Sequence, residues 1–324
     1  SGIICLGVIL FKIKGGVPEA IKIATESNRT GFGPYDIDFT RLTLIVMIIN
    51  GAFYAIQKYG TDQTVVQRYL TAKTDKAAEK ASLLGISLTV PIWTIFMFIG
   101  TALFVFYKQQ PLPEGTNAAA VFPYFIMTQL PTGVIGFIVA ALISAAICSL
   151  SADLNSLAAV GIQDYYKKLR PHKTDKQYLW MSKTFVVVSG LFSIAIGALY
   201  LMTGNEGVLG VIFTIYAIFS GGIVGIFLLG LFSARANRQG VNIGIITCIL
   251  FTAWAFLTST PVGVKEPKLL LDMGNFNFTH HKLMLGVYSH LVVIVVGYVA
   301  SLFYPKPELE PNLLYSSWKK NRYN

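Results

Sequence analysis

The chain has 324 residues, of which 54% are apolar and 13% charged, and a formal net charge of +10. A soluble globular domain carries about 25% charged residues, so this composition and a mean hydropathy of +0.59 exclude a pair of ordinary soluble domains and point to a membrane protein. Three cysteines, Cys5, Cys148 and Cys248, lie in apolar stretches without metal-ligand spacing, which excludes a disulfide framework or a zinc site and reads each as a small buried hydrophobe.

The first element, Gly2 to Phe11, is about half the roughly 20 residues that a spanning helix needs. It lacks the basic start and small-residue cleavage site of a signal peptide, and reads as the end of a truncated helix. Residues 12–41 follow as a loop. Runs long enough to cross about 30 Å of hydrocarbon then occur at 40–59, 83–107, 132–160, 178–202, 208–232, 240–259 and 283–304. Their length and the absence of dyad alternation predict helices rather than barrel strands. Gln110 to Gly115 and Thr260 to Lys268 read as loops, and residues 117–130 as a short helix on the membrane surface.

Nearly all of the net positive charge sits in alternate connections: Arg68 to Lys80, Lys167 to Lys176, Arg235 to Arg238 and the tail from Lys306. Basic loops mark the cytoplasmic side, so the alternation places these connections and the C-terminus inside. The charge thus reports topology in a plasma or inner membrane, and nucleic acid is excluded as a partner. Asn28-Arg-Thr and Asn277-Phe-Thr match a glycosylation sequon, and His280-His281 lacks partners at metal-ligand spacing and reads as solvated loop.

The span 132–160 is unusual in carrying a polar stripe. At 100° per residue, Ser144, Cys148, Ser151 and Asn155 share one face of an expected buried helix, with Ser149 and Ser156 on its flank and Ala145 between. Small and hydroxyl residues allow close helix packing; hydroxyls and main-chain carbonyls also hold a desolvated cation without a full charge. At the inner end of 40–59, Lys58 and Asp62 stand near membrane depth, where each costs about 2.5–3.5 kcal/mol at mid-helix. Lys58 either snorkels to the headgroups or faces a cavity and meets an anionic substrate. Gly221-Gly222, inside 208–232, costs about 1 kcal/mol per glycine relative to alanine and marks an unwound or closely packed point.

Thr61-Asp-Gln-Thr-Val-Val-Gln-Arg-Tyr-Leu-Thr-Ala-Lys73, Ala145 to Asp164 with its Leu-Asn-Ser triplet, and Gly222 to Phe232 followed by Arg235 and Gly240 together resemble the sodium/solute symporter family, in order and spacing over nearly the whole chain. The resemblance implies an all-α polytopic membrane protein with a LeuT-like inverted-repeat fold. Residues 1–38 would be the end of a helix and its outside loop, 39–232 the second five-helix repeat, 233–304 two additional helices and 305–324 a cytoplasmic tail, with the first core helices absent.

It also implies a sodium site on span 132–160, using the Ala145 carbonyl and the Ser149 hydroxyl. Cys148 stands where many members have Ser, a softer ligand that suits Na⁺ poorly. Ser151 fits a second site found in some members, and Ala152 does not. The substrate cavity would take Tyr54, Gln57, Lys58, Tyr59 and Ser87, then Phe213, Tyr216 and Ser220 beside the helix break at Gly221 and Gly222. Sugar-carrying members place a Lys near Ser87, a Gln near Phe213 and a gating Tyr where Lys58 stands, and all three differ here. The expected function is sodium-coupled import of a small organic solute, a carboxylate such as sialic acid or a monocarboxylate. The alternatives are a hexose or inositol symporter and, more remotely, a membrane enzyme or sensor. Na⁺ is the coupling ion; no other cofactor, no catalytic residue and no obligate protein partner is expected.

Overall fold

A computed structural model describes residues 2–116, 120–203, 221–259, 261–262, 268–309 and 314–317. Its helices are α1 (Gly2–Lys12), α2 (Gly16–Glu26), α3 (Leu44–Ile56), α4 (Gln63–Leu70), α5 (Asp75–Gln109), α6 (Val121–Gln129), α7 (Thr132–Val160), α8 (Asp175–Thr203), α9 (Ile223–Phe232), α10 (Arg238–Ser259) and α11 (Lys282–Ser301). A π turn, Gln57–Thr61, joins α3 to α4, and a second, Gly161–Tyr166, prolongs α7. A two-residue antiparallel pair, Pro261–Val262 with Lys268–Leu269, stands in the connection after α10. Among the described residues, five helices are long and apolar enough to cross a membrane: α5, α7 with its extension to Leu169, α8, α10 and α11.

The runs 83–107, 132–160, 178–202, 240–259 and 283–304 become helices of spanning length, whereas 40–59 gives the shorter α3 and its π turn; two further corrections follow. Residues 12–41 are not all loop, because α2 lies inside them; its Ala20 and Ala24, four residues apart, are buried while Lys22 and Glu26 are exposed. The helix expected from residue 83 begins at Asp75, two turns earlier, where the Thr74 hydroxyl accepts from the Ala77 amide at 3.2 Å. That cap and the acidic first turn offset the low apolar content of Asp75 to Lys80. The helix expected over 117–130 is α6. Span 208–232 is described only from Gly221 onward.

The chain divides into two compact units, Ser1–Phe32 with Gln67–Val187, and Gly33–Val66 with Val188–Asn324. In the first, Cys5 and Ile9 of α1 and Ala20 and Ala24 of α2 pack with Ile99, Leu103 and Phe106 of α5. Phe106 meets Phe125 of α6 edge-on at 5.3 Å. At the other end of this unit a Cβ on Gly161 would stand 3.0 Å from the Phe185 ring, so the π turn of α7 lies tightly on α8.

The second unit is built on α11, which packs against α3, α9 and α10. Phe53 of α3 stacks on His290 at 5.5 Å. The α10–α11 contact depends on Gly240 and Gly244: a Cβ at Gly240 would lie 2.5 Å from the Ser301 amide and 2.7 Å from the Gly297 carbonyl, and one at Gly244 would lie 3.0 Å from the Gly297 Cα. The two backbones meet closely there, with the Ser301 hydroxyl as the nearest side-chain group to Gly240. Asn237 closes the end of the pair, its Oδ1 accepting from the Gly240 amide at 2.9 Å and its Nδ2 donating to the Ser301 carbonyl at 3.0 Å.

Candidate functional site

In the second unit, the π turn after α3 opens the helix. The Asp62 amide donates to the Gln57 carbonyl at 3.1 Å, five residues back, and the Thr61 hydroxyl donates to the same carbonyl at 2.8 Å. Single π turns are concentrated at functional positions because they displace the backbone without ending the helix. Here the turn sets Lys58 one step before Asp62, and Lys58 Nζ meets Asp62 Oδ2 at 2.5 Å. Asp62 Oδ1 accepts from the Thr64 amide at 2.8 Å and from the Thr64 hydroxyl at 2.6 Å, and so caps α4. Desolvation alone would raise the Asp62 carboxyl, but the hydrogen bonds from Lys58 and Thr64 outweigh it and hold the group below the usual carboxylate range.

A cleft of about 260 Å³ is lined by Tyr54, Gln57, Lys58, Thr61, Asp62 and Ile223. Of the residues expected in a substrate cavity, the structure thus brings together Tyr54, Gln57 and Lys58. Tyr59 is half-buried in the same turn but does not line the cleft, and Ser87 is exposed on α5 in the first unit. Phe213, Tyr216 and Ser220 lie outside the described residues. Lys58 does not reach away along the helix as snorkelling would require; it folds onto Asp62.

Thr61 and Ile223 were not among the expected cavity residues. Ile223 opens α9, directly after Gly222, which is left-handed at φ 83°. A Cβ at Gly222 would press on Val293 and stand 3.1 Å from the Cys248 sulfur, and one at Gly221 would stand 3.1 Å from Thr252 Cγ2. The glycine pair is therefore both a helix start and a close contact with α10 and α11.

The polar stripe of α7 lies in the first unit. The expectation of a buried helix is corrected: only 6% of the residues in its most apolar window are buried within this chain. Ser144, Ala145, Cys148, Ser149, Ser151 and Asn155 are exposed, whereas Ser156 is buried. Ser144 returns its hydroxyl to the Ala140 carbonyl at 2.8 Å. Among the described residues, no helix is pressed against Ala145 and Ser149. A hydroxyl in a spanning helix either returns to its own backbone, as Ser144 does, or takes a partner from a neighbouring helix or a polar cavity. The oxygens of the stripe suit a small hard cation: the Ser149 hydroxyl is one donor, and the Ala145 carbonyl keeps a second lone pair beside its helical hydrogen bond. The Cys148 thiol is a poor donor to such an ion.

His280 and His281 have structural roles. His280 Nδ1 lies 2.6 Å from the Tyr288 hydroxyl, and His281 caps α11 through the Leu283 amide at 3.3 Å.

The family model of the sodium:solute symporter family matches residues 3–248. The sodium/sialic acid symporter NanT of Aliivibrio fischeri is 29% identical over 307 residues, covering 93% of this chain and 56% of that protein. The sodium/sialic acid symporter SiaT of Proteus mirabilis is 30% identical over 310 residues, with 93% and 58% covered. A sodium-coupled monocarboxylate transporter 2 from Bos taurus is 28% identical over 269 residues, with 78% and 42% covered. A solved Na⁺-coupled sialic acid symporter, in a substrate-bound outward-open state, superposes with a TM-score of 0.77 at 26% identity over 95% of this chain and 61% of its own. The chain therefore spans a little over half the length of the two sialic acid symporters that it matches.

Proposed function

Because the chain belongs to the sodium:solute symporter family, a family of transporters and not enzymes, we propose that the whole protein is a sodium-coupled importer of a small organic carboxylate. The chain has the all-helical, LeuT-like fold that goes with this membership. Residues 39–232 would form the second inverted repeat, and the basic C-terminal tail would lie in the cytoplasm of a plasma or inner membrane.

The observation that carries the sodium half of this reading is the exposed polar stripe on α7. Ala145 and Ser149 would hold the ion from this side, Ser151 would serve a second ion, and a helix of the first repeat would supply the remaining oxygens. Sodium would stabilise an outward-open state, and movement of the helix bundle would then expose ion and solute to the cytoplasm. One charge moving down 100 mV contributes about 2.3 kcal/mol, which supports nearly 50-fold accumulation before any sodium gradient is added.

The solute half rests on the cleft beside the π turn. Lys58 places a cation against a cavity wall that also carries the Tyr54 and Gln57 side chains, a combination that suits a carboxylate with hydroxyl or amide groups. The relatives named above carry sialic acid or monocarboxylates, both of that class.

Reconstitution of the intact protein into proteoliposomes tests both halves. Sialic acid or a monocarboxylate should enter only with a sodium gradient, and Ser149→Ala should raise the Na⁺ concentration needed for half-maximal uptake. Equal sodium dependence in Ser149→Ala removes that ligand. Uptake of glucose but of no organic anion removes the carboxylate assignment in favour of a sugar symporter.

A further inference from the structure

At the far end of the second unit from Gly222, where α9 stops, a second cleft of about 350 Å³ is lined by Phe232, Ser233, Ala234, Arg235, Tyr298 and Lys306. Its two cations have different surroundings. Arg235 Nη2 donates to the Leu302 carbonyl at 3.0 Å and to the Tyr304 carbonyl at 2.9 Å, which fixes the guanidinium across the end of α11. Its Nη1 is buried and has no hydrogen-bond partner among the described residues. Lys306, on the chain just past α11, is exposed. Among the described residues lining the cleft, none is acidic.

A guanidinium fixed by its neighbours beside an exposed ammonium is the charge arrangement that recognises a phosphate. The rest of the lining says where that phosphate comes from. Phe232 is 63% exposed and Tyr298 43% exposed, and they stand on α9 and α11 near the ends of apolar helices. Aromatic rings at the ends of spanning helices favour the headgroup boundary over bulk water. Phe232 also meets the Tyr315 ring of the tail at 5.4 Å, which closes one side.

We propose that Arg235 and Lys306 hold the phosphate of an anionic phospholipid whose acyl chains lie along Phe232 and Tyr298. Basic pockets at the ends of spanning helices bind such headgroups through charge and hydrogen bonds together. The site is independent of the transported solute, since it needs only that α11 crosses the membrane and that α9 ends beside it.

The intact protein, solubilised in an uncharged detergent, tests this by titration with phosphatidylglycerol, phosphatidylcholine or inorganic phosphate while the melting temperature is followed. Phosphatidylglycerol should raise the melting temperature saturably, and the other two should not. Arg235→Ala also unties the end of α11, so its failure to fold would say nothing of the lipid; Lys306→Gln touches only the exposed cation. It should weaken half-saturation by about fivefold, the worth of one lysine near an anionic surface, whereas Lys22→Gln on the exposed face of α2 should leave the titration unchanged. Equal stabilisation by both lipids, an unaltered titration in Lys306→Gln, or an equal loss in Lys22→Gln overturns the site. Stabilisation by inorganic phosphate alone assigns the cleft to a soluble anion and overturns the lipid.

Discussion

Lys58 and Asp62 stand four residues apart across a π turn and close an ion pair of 2.5 Å against a cleft wall. The lysine is 41% exposed and the aspartate 27%, so water screens the pair. A double-mutant cycle of Lys58→Met and Asp62→Asn, read from melting temperatures, should give a coupling of about 0.5–1 kcal/mol that shrinks in high salt. Uptake should respond more strongly: Lys58→Ala is expected to abolish most organic-anion transport, and unchanged uptake removes Lys58 from the solute site.

Acid should weaken this corner of the molecule. The Asp62 carboxyl is held below its unfolded value, near 3.9, in spite of the opposing effect of burial. Its contribution is therefore fully present above that value and is lost as pH falls through the lower folded one. Between those two values, Asp62→Asn should flatten the pH dependence of stability by up to one proton, about 1.4 kcal/mol per pH unit. Parallel profiles for the two proteins would show that the carboxylate is not favoured by folding.

Sodium affinity offers a gain-of-function test. Cys148 and Ser149 are exposed neighbours on the α7 stripe, and a hydroxyl serves Na⁺ better than a thiol. Cys148→Ser should lower the sodium concentration for half-maximal uptake by about two- to tenfold, the range of one added polar contact. No change would place this side chain outside the coordination shell.

Glycine substitutions separate packing from propensity. Gly240→Ala would drive a methyl into the Gly297 carbonyl and the Ser301 amide, at a cost of about 1–3 kcal/mol. Gly230→Ala, on α9, has open space within 4 Å and should be neutral or stabilising by up to about 1 kcal/mol. The difference between their melting temperatures measures the backbone contact.

Asn237→Ala removes the acceptor for the Gly240 amide and the donor to the Ser301 carbonyl in a buried site. A loss of about 1–3 kcal/mol is expected. Asn237→Ser, which keeps the cap alone, should recover part of it.

The spanning helices were legible because each needs some 20 apolar residues in a row, and α5, α7, α8, α10 and α11 supply them. Helix α2 was hidden because its buried face consists of Ala20 and Ala24, too small to stand out among Glu19, Lys22 and Glu26. The span read over 40–59 ends in a π turn, Gln57–Thr61, which composition does not encode. Lys58 and Asp62 have the i,i+4 spacing of a pair. Thr61 was missed because the π turn places it at the cleft, and Ile223 because it reaches the cleft only through tertiary packing. Gly240-Val-Asn-Ile-Gly244 carried a signal that the spans alone did not use, the small-xxx-small pattern of close helices.

That last contact bears on how the unit moves. Two helices usually creep past one another by letting side chains change rotamer, but Gly240, Gly244 and Gly297 offer nothing to rearrange. Pinned at one end by Asn237 as well, α10 and α11 are expected to shift as a single strut, and any bend in this half is expected first at the widened turn Gln57–Thr61.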